Sequence, residues 1–542
     1  MNNIPIIDLF AGPGGLGEGF SSVMDSKGNR VFKIKLSIEK DEHAHKTLQL
    51  RSFYRQFATE EVPELYYQYI IENNQKKQQI ILSKLKKQYN KEWENAELEA
   101  WHFELPYPEE FDKNGNKKGG YSQSEIIERN QELDKRISRA LSNKKEFLLI
   151  GGPPCQAYSL VGRARNQGIS NKDHRVHLYK EYLRIIAKHH PAVFVMENVK
   201  GLLSAKVDNI MMFELIKDDL KCPRNVYPEF NSPNYKVYSF VKEPDEYDSK
   251  GFPLYKNDKD YLIRTEKYGV PQRRHRVILL GIREDITLKG FKTLKQIENE
   301  TNLIQVIGSL PEIRSGIARE IVGANEKDKN IYQSIKNNKT NWTEAIFGYI
   351  NKLDSTLTEQ FEGLIDSDNQ GANFLSFSLN EVDNPIYDSW YKDELLNGVL
   401  NHESRTHLKE DLGRYLFSSL YLKKKGEFPR LNDYPLWLLP KHKNAIKGDK
   451  FADRFRTQKP YQAATTITSH ISKDGHYFIH YDPSQCRSLT VREAARIQTF
   501  PDNYYFCGSR THQYHQVGNA VPPYLAKQLA EIVLDLFTNN VD

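Results

Sequence analysis

Cysteine is scarce in this chain, and long apolar segments are missing. Its 542 residues include four cysteines and no Cys-x-x-Cys pair, which argues against a disulfide-stapled fold or a zinc ribbon. No apolar run is long enough to span a membrane, and the first residues lead into a strand pattern rather than a signal peptide. We therefore expect a reducing, intracellular environment in which cysteine stays a thiol.

Neither sign of charge dominates the composition. The chain has 77 Lys and Arg against 71 Asp and Glu, a net charge of +6, which is compatible with an anionic partner but does not require one. Hydrophobic residues make up 39% and charged residues 27%, values typical of a folded globular protein. His174 and His177 form an isolated His-x-x-His without other ligand types nearby, so no metal site is predicted.

One cysteine has an unusual setting. Cys155 follows the apolar run 147–150 through the sequence Gly-Gly-Pro-Pro at 151–154. The apolar run predicts a strand buried on both faces, as in a parallel sheet. Cys155 would then lie on a loop at the carboxyl end of that strand, where open α/β sheets bind ligands. The alternative is a buried structural cysteine, although Gly-Gly-Pro-Pro is poor core material.

A glycine-rich turn follows the first predicted strand, 4–10. Its glycines fit the pattern G-x-G-x-x-G: Gly12, Gly14 and Gly17. Glu39 comes at the end of the next predicted strand, 33–38. This arrangement is typical of a nucleoside-binding βαβ unit, in which Glu39 would accept hydrogen bonds from ribose hydroxyls and Phe10 could pack on an adenine ring. A tight turn without a ligand is the alternative.

A second apolar run, 192–196, ends in Glu197-Asn198-Val199. Between the two runs we predict a polar, basic loop and a helix over about 176–189. Cys155 and Glu197 are 42 residues apart, the length of one βαβ crossover, and a right-handed crossover places both on the same sheet edge. Glu197 is therefore either a helix-capping residue or a catalytic acid, and the nearby cysteine favours the acid.

A basic cluster precedes the apolar strand predicted at 277–281. Its residues are Gln272, Arg273, Arg274, His275 and Arg276. In an extended chain Arg274 and Arg276 share one face, and two guanidinium groups suit a phosphate or a carbonyl oxygen. A basic strand edge exposed to water is the alternative.

The other segments show patterns of secondary structure but no catalytic motif. Residues 60–145 are rich in Lys, Glu, Gln and Tyr, which predicts a helical insertion with a solvated charged face. No chemical motif occurs between 284 and about 486. Thr490 and Glu493 fit a capping box, and a final helix beginning at Pro522-Pro523 carries an apolar stripe that should pack back on the first domain.

Taken together, these motifs resemble those of the DNA cytosine-5 methyltransferase family. They occur in that family's order and with roughly its spacing: DLFAGPGG at 8–15, GGPPCQ at 151–156, MENV at 196–199, PQRRHRV at 271–277, LTVREAARIQTFP at 489–501 and QVGNAVPP at 516–523. The resemblance covers about 1–58, 145–283 and 460–535. It does not cover the insertion or the segment 290–455.

The resemblance implies an α/β fold: a doubly wound, Rossmann-like domain that binds S-adenosylmethionine, with a smaller target-recognition domain. The expected division is a catalytic domain over 1–288 with the helical insertion at about 60–145, a recognition domain over 289–456, and a return to the catalytic domain over 457–542. The expected substrate is double-stranded DNA. The protein would act as a monomer in the bacterial cytoplasm, at the nucleoid, without metal or membrane, and a cognate restriction endonuclease could accompany it.

Residue roles follow from matching the motifs. Cys155 would be the nucleophile, Glu197 the acid that contacts the base, and Arg274 and Arg276 would hold the cytosine carbonyl and the loop. The cofactor pocket would be lined by Phe10, Gly12, Gly14, Glu39, Asn519 and Val521. The expected DNA contacts are Gln156, Arg163 and Arg165. The family's third cofactor acid is not evident in this sequence.

The chemistry explains these residue types. Cytosine C5 is a poor nucleophile, and thiolate addition at C6 makes it reactive toward a methyl sulfonium. The base must first leave the duplex stack, at a cost of a few kcal/mol. Three rivals remain at this point: the same reaction on RNA such as tRNA, a NAD-dependent oxidoreductase and a non-catalytic DNA-binding relative. The oxidoreductase leaves GGPPCQ and MENV unexplained, and the non-catalytic relative would have lost Cys155 or Glu197.

Overall fold

A computed structural model of the chain describes most of its residues. The described ranges are 3–112, 114–142, 144–154, 174–207, 210–287, 290–325, 330–378, 384, 386–440 and 453–538. Four predicted site residues lie outside them: Cys155, Gln156, Arg163 and Arg165. Within the described ranges, no helix has the length and apolar composition needed to traverse a lipid bilayer.

The bounds of the elements are as follows. The strands are β1 (Ile4–Leu9), β2 (Phe32–Glu39), β3 (Ala100–His102), β4 (Glu110–Phe111), β5 (Lys117–Gly119), β6 (Leu148–Gly151), β7 (Val193–Val199), β8 (Lys206–Val207), β9 (Ile210–Met211), β10 (Tyr235–Ser239), β11 (Glu246–Tyr247), β12 (Pro253–Leu254), β13 (Leu262–Arg264), β14 (His275–Arg283), β15 (Gly316–Ala324), β16 (Asn330–Ser334), β17 (Gly371–Ser376), β18 (Gly398–Glu403) and β19 (Thr406–Leu408). The α-helices are α1 (Gly15–Ser21), α2 (Glu42–Tyr54), α3 (Glu64–Ile71), α4 (Gln75–Gln88), α5 (Asn90–Glu99), α6 (Gln123–Leu141), α7 (His174–His189), α8 (Met212–Lys221), α9 (Leu303–Ile307), α10 (Lys339–Ile350), α11 (Ser355–Thr358), α12 (Lys409–Lys425), α13 (Val491–Ile497), α14 (Arg510–Asn519) and α15 (Pro523–Thr538).

Eight of the described strands form the central sheet. Their order is β10-β14-β7-β6-β1-β2-β3, and β13 also pairs with β14. Strands β7, β6, β1, β2 and β3 are parallel, whereas β14 runs antiparallel to β7 and β10. The strand order reverses between β1 and β6, and ligands of open α/β sheets bind at the carboxyl ends beside such a reversal. The doubly wound fold predicted from the sequence is therefore confirmed.

Helices cover both faces of this sheet. On one face, Leu133 of α6, Tyr182 of α7 and Phe213 of α8 share a buried cluster with strand residues. On the other face, Phe20 of α1 and Leu529 of α15 pack in a second cluster. Since both faces are covered, the parallel strands need apolar side chains on both sides, and all six residues of β1 are buried.

The predicted boundaries agree with the structure at several elements. The final helix, α15, begins at Pro523, and its apolar stripe packs against the first domain as predicted. The capping box is also present: the Thr490 hydroxyl accepts a hydrogen bond from the Glu493 N–H (3.2 Å), and the Glu493 carboxylate accepts one from the Thr490 N–H (2.7 Å). These two patterns depend on local spacing, which is why the sequence revealed them.

The segment 60–145 differs from the predicted helical insertion. It contains β3, which pairs with β2 through the register Ser37↔Ala100 to Glu39↔His102 and forms an edge of the central sheet. It also contains α6, whose Leu133 and Ile137 are fully buried in the sheet core. Helices α3, α4 and α5 and the short strand pair β4–β5 are additional to the doubly wound core. We call the three helices the brace.

The region after β14 has cores of its own. Ile317, Trp342 and Tyr415 share one buried cluster with Phe455 and Cys486. Residues on both sides of the predicted domain boundary at 456 thus belong to the same core. The packing therefore shows no sharp boundary at 456. The predicted division at this residue stays a prediction based on sequence motifs.

A pair of substitutions on α6 tests its place in the core. Leu133→Ala removes a side chain with no exposed surface, and we expect a loss of about 2–5 kcal/mol in the free energy of unfolding. Ile127→Ala, on the same helix, removes a side chain that is 51% exposed, and its effect should stay within about 0.5 kcal/mol. Urea unfolding of both variants measures the difference. Equal effects would mean that α6 is a peripheral helix.

Candidate active site

Glu197 and Arg276 meet because of the strand register. In the antiparallel pair of β7 and β14, Glu197 lies opposite Ile278. Arg276 is two residues from Ile278 along β14, so it points to the same face as Glu197. The two side chains are therefore diagonal neighbours at the carboxyl edge of the parallel strands, within reach of each other.

These two residues form an ion pair. Arg276 Nε lies 2.7 Å from Glu197 Oε1, with both side chains only 12–13% exposed. Arg276 Nη1 also donates to the backbone oxygen of His275, at 2.9 Å. The pair presents an acceptor and a planar donor side by side, which is the pattern that an amide-like base edge can bind.

Gly152, just after β6, lies directly against Glu197. A Cβ atom built on Gly152 would lie 2.9 Å from Glu197 Oε2, so any side chain at 152 would press on the carboxylate. Glycine is required here for close approach rather than for its backbone freedom. The structure thus brings the start of the Gly-Gly-Pro-Pro segment to Glu197, while Cys155 itself lies outside the described residues.

Arg274 is buried, so the alternative of a basic strand edge exposed to water is wrong for this residue. It precedes β14 and is 2% exposed. Its Nη1 donates to the Ile467 oxygen (2.6 Å) and its Nη2 to the Gly518 oxygen (3.2 Å). Burial, followed by the charge of Arg276, lowers the pKa of Arg274 well below its usual range. Both acceptors are backbone carbonyls, so the guanidinium joins the segment before β14 to those at 467 and 518.

Gln272 and Gln498 were missed by the sequence analysis. Gln272 accepts a hydrogen bond from the Ile467 N–H (3.0 Å) and donates to Gln498 Oε1 (2.6 Å), and Gln498 donates to the Val517 oxygen (2.6 Å). Both glutamines are fully buried. The signal available in the sequence was that both lie within motifs, PQRRHRV and ARIQTFP. Buried amides need hydrogen-bond partners, which these two glutamines find in each other and in the backbone.

The chain also closes on itself beside this network. The Arg273 N–H donates to the Ala464 oxygen, and the Ala464 N–H donates to the Pro271 oxygen, both at 2.9 Å. The segment that leads into β14 is thus hydrogen-bonded to the segment that follows the inserted region. After β14, the Leu303 and Ile304 N–H groups donate to the Gln462 and Pro460 oxygens, at 3.0 and 2.9 Å.

The glycine-rich turn has one open side. Phe10 and Gly12 both adopt left-handed backbone conformations, each with φ 57°. A Cβ built on Gly12 meets nothing within 4 Å, whereas one on Gly14 would lie 2.9 Å from Leu48 Cδ1 and one on Gly17 would lie 2.7 Å from Ile34 Cδ1. Gly14 and Gly17 are therefore needed for packing within the protein, whereas Gly12 faces open space.

Glu39 holds this turn to the end of β2. Its carboxylate accepts hydrogen bonds from the Gly12 N–H (2.8 Å) and the Asp41 N–H (2.7 Å). Burial raises the pKa of Glu39, although these backbone donors oppose the shift. The structure therefore brings Phe10, Gly12, Gly14 and Glu39 together, as the sequence predicted.

Asn519 and Val521 come from the last motif. The Val521 oxygen packs so closely on the turn that a Cβ built on Gly15 would lie 2.2 Å from it. Asn519, at the end of α14, is exposed, and its Nδ2 lies 3.3 Å from His515 Nδ1. Val521 therefore borders the glycine-rich turn, whereas Asn519 contacts His515 on its own helix. Tyr504, a residue that the sequence analysis missed, donates to the Pro13 oxygen and so also fixes the turn.

The sequence analysis found no third acid for the cofactor site, but the structure has a carboxylate, Glu104, close after β3. Glu104 follows β3, whose carboxyl end is paired with Glu39 through His102. The Glu104 carboxylate accepts hydrogen bonds from Lys40 Nζ (3.0 Å) and Tyr121 Oη (3.1 Å). β3 is three residues long, too short for a periodic signal, so the sequence could not place Glu104 at the sheet edge.

Asp8 is a buried acid beneath the glycine-rich turn. Neither of its carboxyl oxygens has a hydrogen-bond partner among the described residues, and Oδ2 lies 3.2 Å from a Cβ built on Gly17. Burial raises the pKa of Asp8 well above its usual range, and Arg55 opposes the shift.

In the described ranges, no group of three or more His, Cys, Asp or Glu is arranged to hold a metal ion.

The raised pKa of Asp8 predicts how stability depends on pH. The folded protein keeps a proton that the unfolded chain loses near pH ~4, so stability is lost as pH rises through the folded-state pKa. Asp8→Asn stays neutral at every pH, and its free energy of unfolding relative to the wild type should rise as the pH rises. Unfolding at a series of pH values measures the two curves, and parallel curves would contradict the assignment.

Comparisons with known proteins agree with this geometry. The family model described as "C-5 cytosine-specific DNA methylase" matches residues 95–534. The Type II methyltransferase M.Bpa9945I of Bacillus paralicheniformis is 32% identical over 540 residues, covering 99% of both chains. M.DdeI of Desulfomicrobium norvegicum is 28% identical over 403 residues, covering 72% of this chain and 73% of its own.

A third relative carries the reaction in its name. The DNA (cytosine-5-)-methyltransferase M.ApeKI of Aeropyrum pernix is 26% identical over 437 residues, covering 73% of this chain and 82% of its own. The family description and this name refer to DNA, so the RNA alternative is not favoured. The chain belongs to the C-5 cytosine-specific DNA methylase family and is a DNA cytosine-5 methyltransferase.

Proposed function

We propose that this enzyme methylates C5 of a flipped-out cytosine in double-stranded DNA, using Cys155 as the nucleophile and Glu197 as the acid. The observation that carries the proposal is the contact of Gly152 with the Glu197 carboxylate, beside the ion pair with Arg276. Cys155 follows Gly152 by three residues, and three residues of chain reach no further than about 11 Å. A thiol three residues after Gly152 is therefore within reach of the acid.

The acid and the arginine would hold the base. Glu197 would donate a proton to N3 as electron density grows on the ring, and Arg276 would donate to the neighbouring carbonyl oxygen. The ion pair orients both groups before the base enters, so less conformational freedom is lost on binding. Arg274 acts at a distance, because its guanidinium is occupied by the Ile467 and Gly518 carbonyls, and we assign it a positioning role.

The nucleophile would work by reversible addition. The Cys155 thiolate forms a bond to C6, and the displaced ring electrons make C5 nucleophilic. C5 would then take the methyl group, and the electron pair of the broken S–CH3 bond would stay on the donor's sulfur. Loss of the C5 proton to a base would re-form the C5–C6 double bond and break the S–C6 bond, which returns the thiolate, and Glu197 would take back the N3 proton. The other described cysteines do not suit this role: burial raises the pKa of Cys507 to about 11 and raises that of Cys486 further, and Cys222 pairs with Asn225 away from the sheet edge.

The turn after β1 fits the methyl donor implied by the family. S-adenosylmethionine supplies an electrophilic methyl group when it is bound. Gly12 offers the open face of the turn, Glu39 the carboxylate for ribose hydroxyls, and Phe10 an aromatic ring beside them. Val521 closes the other side of the turn, and we propose Glu104 as a further polar contact at the end of β3 and Asn519 as one from α14.

The remaining assignments concern the DNA. We propose that Gln156, Arg163 and Arg165 contact the duplex near the flipped base, where backbone contacts position DNA without reading its sequence. Sequence would be read by residues 290–455, through groups that reach base edges in a groove. The relatives named as Type II methyltransferases support a role in a restriction-modification system, with the enzyme acting as a monomer and a separate endonuclease as its companion.

A trapped adduct tests the nucleophile. DNA carrying 5-fluorocytosine at the target position should form a stable covalent complex with the enzyme in the presence of S-adenosylmethionine, because fluorine blocks the final elimination. Cys155→Ser should form none, whereas the control Cys222→Ser should form as much as the wild type. Peptide mapping by mass spectrometry identifies the modified residue. An adduct at Cys222, Cys486 or Cys507 would refute the assignment.

A second test concerns the cofactor site. Glu39→Ala should weaken S-adenosylmethionine binding by roughly 1–3 kcal/mol, the usual loss for a hydrogen bond to a charged group. Glu42→Ala, three residues further, removes an exposed carboxylate that pairs with Lys46 among the described residues and is the matched control. Calorimetry on both variants measures the affinities. If Glu39→Ala binds as tightly as the control, Glu39 does not contact the cofactor.

A further inference from the structure

The brace, formed by helices α3, α4 and α5, contacts the strand pair β17–β18 through side chains. The clearest contact involves Asn73, in the turn between α3 and α4. Its Nδ2 donates to the Phe374 oxygen (2.9 Å), and its Oδ1 accepts from the Phe374 N–H (2.8 Å). One amide side chain thus satisfies both backbone groups of a residue on β17, as a neighbouring strand would do.

A second chain of contacts links α3 to α1, the helix that follows the glycine-rich turn. Tyr67 Oη donates to Asp393 Oδ2 (2.8 Å), and Asn503 Nδ2 donates to the same oxygen (2.6 Å). Asn503 Oδ1 in turn accepts from Arg51 Nη1 (3.0 Å), and Arg51 Nε donates to Glu18 Oε2 (2.9 Å) on α1. The segment before β18 is thereby joined to the helix that carries the cofactor turn.

A third contact reaches both strands of the pair. Gln78 Nε2 and Asn373 Nδ2 both donate to Tyr505 Oη, at 3.0 and 3.1 Å. Asn401 Nδ2 donates to Asn373 Oδ1 (3.0 Å), and the Phe506 N–H donates to Asn401 Oδ1 (3.1 Å). The chain of amides therefore runs from α4 through β17 to β18.

An apolar cluster supports these polar contacts. Tyr66, Ile70 and Trp93 of the brace share a buried core with Leu396 and Leu400 of the inserted region. The residues of β17 are half-buried or exposed, whereas all but the last residue of β18 are buried. β18 is also held by Arg492, which donates to the Leu400 oxygen (2.8 Å). The brace therefore chiefly supports β17 and its position beside β18.

We propose that the brace positions β17–β18 for target recognition, so that Asn73, Tyr67 and Gln78 set how strictly the enzyme selects its DNA site. The inference rests on the proposed function, in which residues 290–455 read the sequence. Hydrogen bonds to base edges weaken steeply with misplacement. Phosphate contacts tolerate misplacement better, and they carry no sequence information. A loosened strand pair should therefore lose discrimination before it loses affinity or cofactor binding.

The experiment compares variants of the full-length enzyme. The target of the wild type is first identified by sequencing methylated DNA. The ratio of kcat/KM on target DNA to kcat/KM on DNA with one substituted base pair is then measured for Asn73→Ala and Tyr67→Phe. We expect the ratio to fall roughly tenfold and roughly threefold, since two hydrogen bonds are lost in the first variant and one in the second. Affinity for S-adenosylmethionine should stay unchanged.

Matched controls separate positioning from general stability. Asn90→Ala and Gln68→Ala remove side chains on the exposed surface of the same helices and should leave the ratio unchanged. Asn73→Asp keeps the acceptor for the Phe374 N–H and should give an intermediate ratio. If Asn73→Ala does not fold, Tyr67→Phe removes a single hydroxyl and decides the matter. An unchanged ratio in folded variants, or an equal loss of kcat on both DNAs, would overturn the proposal.

A chimera distinguishes this inference from the proposed function. Residues 290–455 are exchanged for those of a relative with a different target, and the methylated site is mapped. If the chimera keeps the original target, the assignment of recognition to this region is wrong. If the target moves but Asn73→Ala and Tyr67→Phe discriminate as the wild type does, only the role of the brace is refuted.

Discussion

The ion pair between Glu197 and Arg276 depends on a single antiparallel strand in an otherwise parallel sheet. Because β14 runs opposite to β7, its amino end meets the carboxyl end of β7, and an arginine that precedes the apolar run lies beside an acid that follows one. In an all-parallel sheet the same two sequence positions would lie at opposite edges. The reversal of one strand therefore assembles the acid, the arginine and the Gly152 loop at one place.

Around this edge, buried arginines and amides join segments that are far apart in sequence. Arg274 bonds to the carbonyls of Ile467 and Gly518, and Gln272 and Gln498 continue the link to Val517. Each of these groups would be costly to bury without partners. The motifs of this family thus include residues whose work is to hold the other motifs in place, and Arg274 is one of them.

The sequence revealed the elements that local patterns determine. The fully apolar runs predicted the parallel strands, and the spacing of Thr490 and Glu493 predicted a helix start. The three-residue strand β3 gave no periodic signal, so the segment around it resembled one helical insertion. The burial of Arg274 was also out of reach, because its partners lie almost 200 and 250 residues further along the chain. Cofactor residues near the glycine-rich turn were predictable because they lie close in sequence, whereas Tyr504 and Glu104 reach it only through the fold.

The hydrogen bonds from the Leu303 and Ile304 N–H groups to the Gln462 and Pro460 oxygens have a consequence for the evolution of the chain. They join segments near the two ends of the inserted region, so that these ends meet whatever its length. The entropic cost of closing a loop grows only with the logarithm of its length, by about 0.6 kcal/mol for each doubling. Selection can therefore lengthen, shorten or replace the inserted region at little expense to the folding of the catalytic sheet, which leaves that region free to diverge while the active edge is retained.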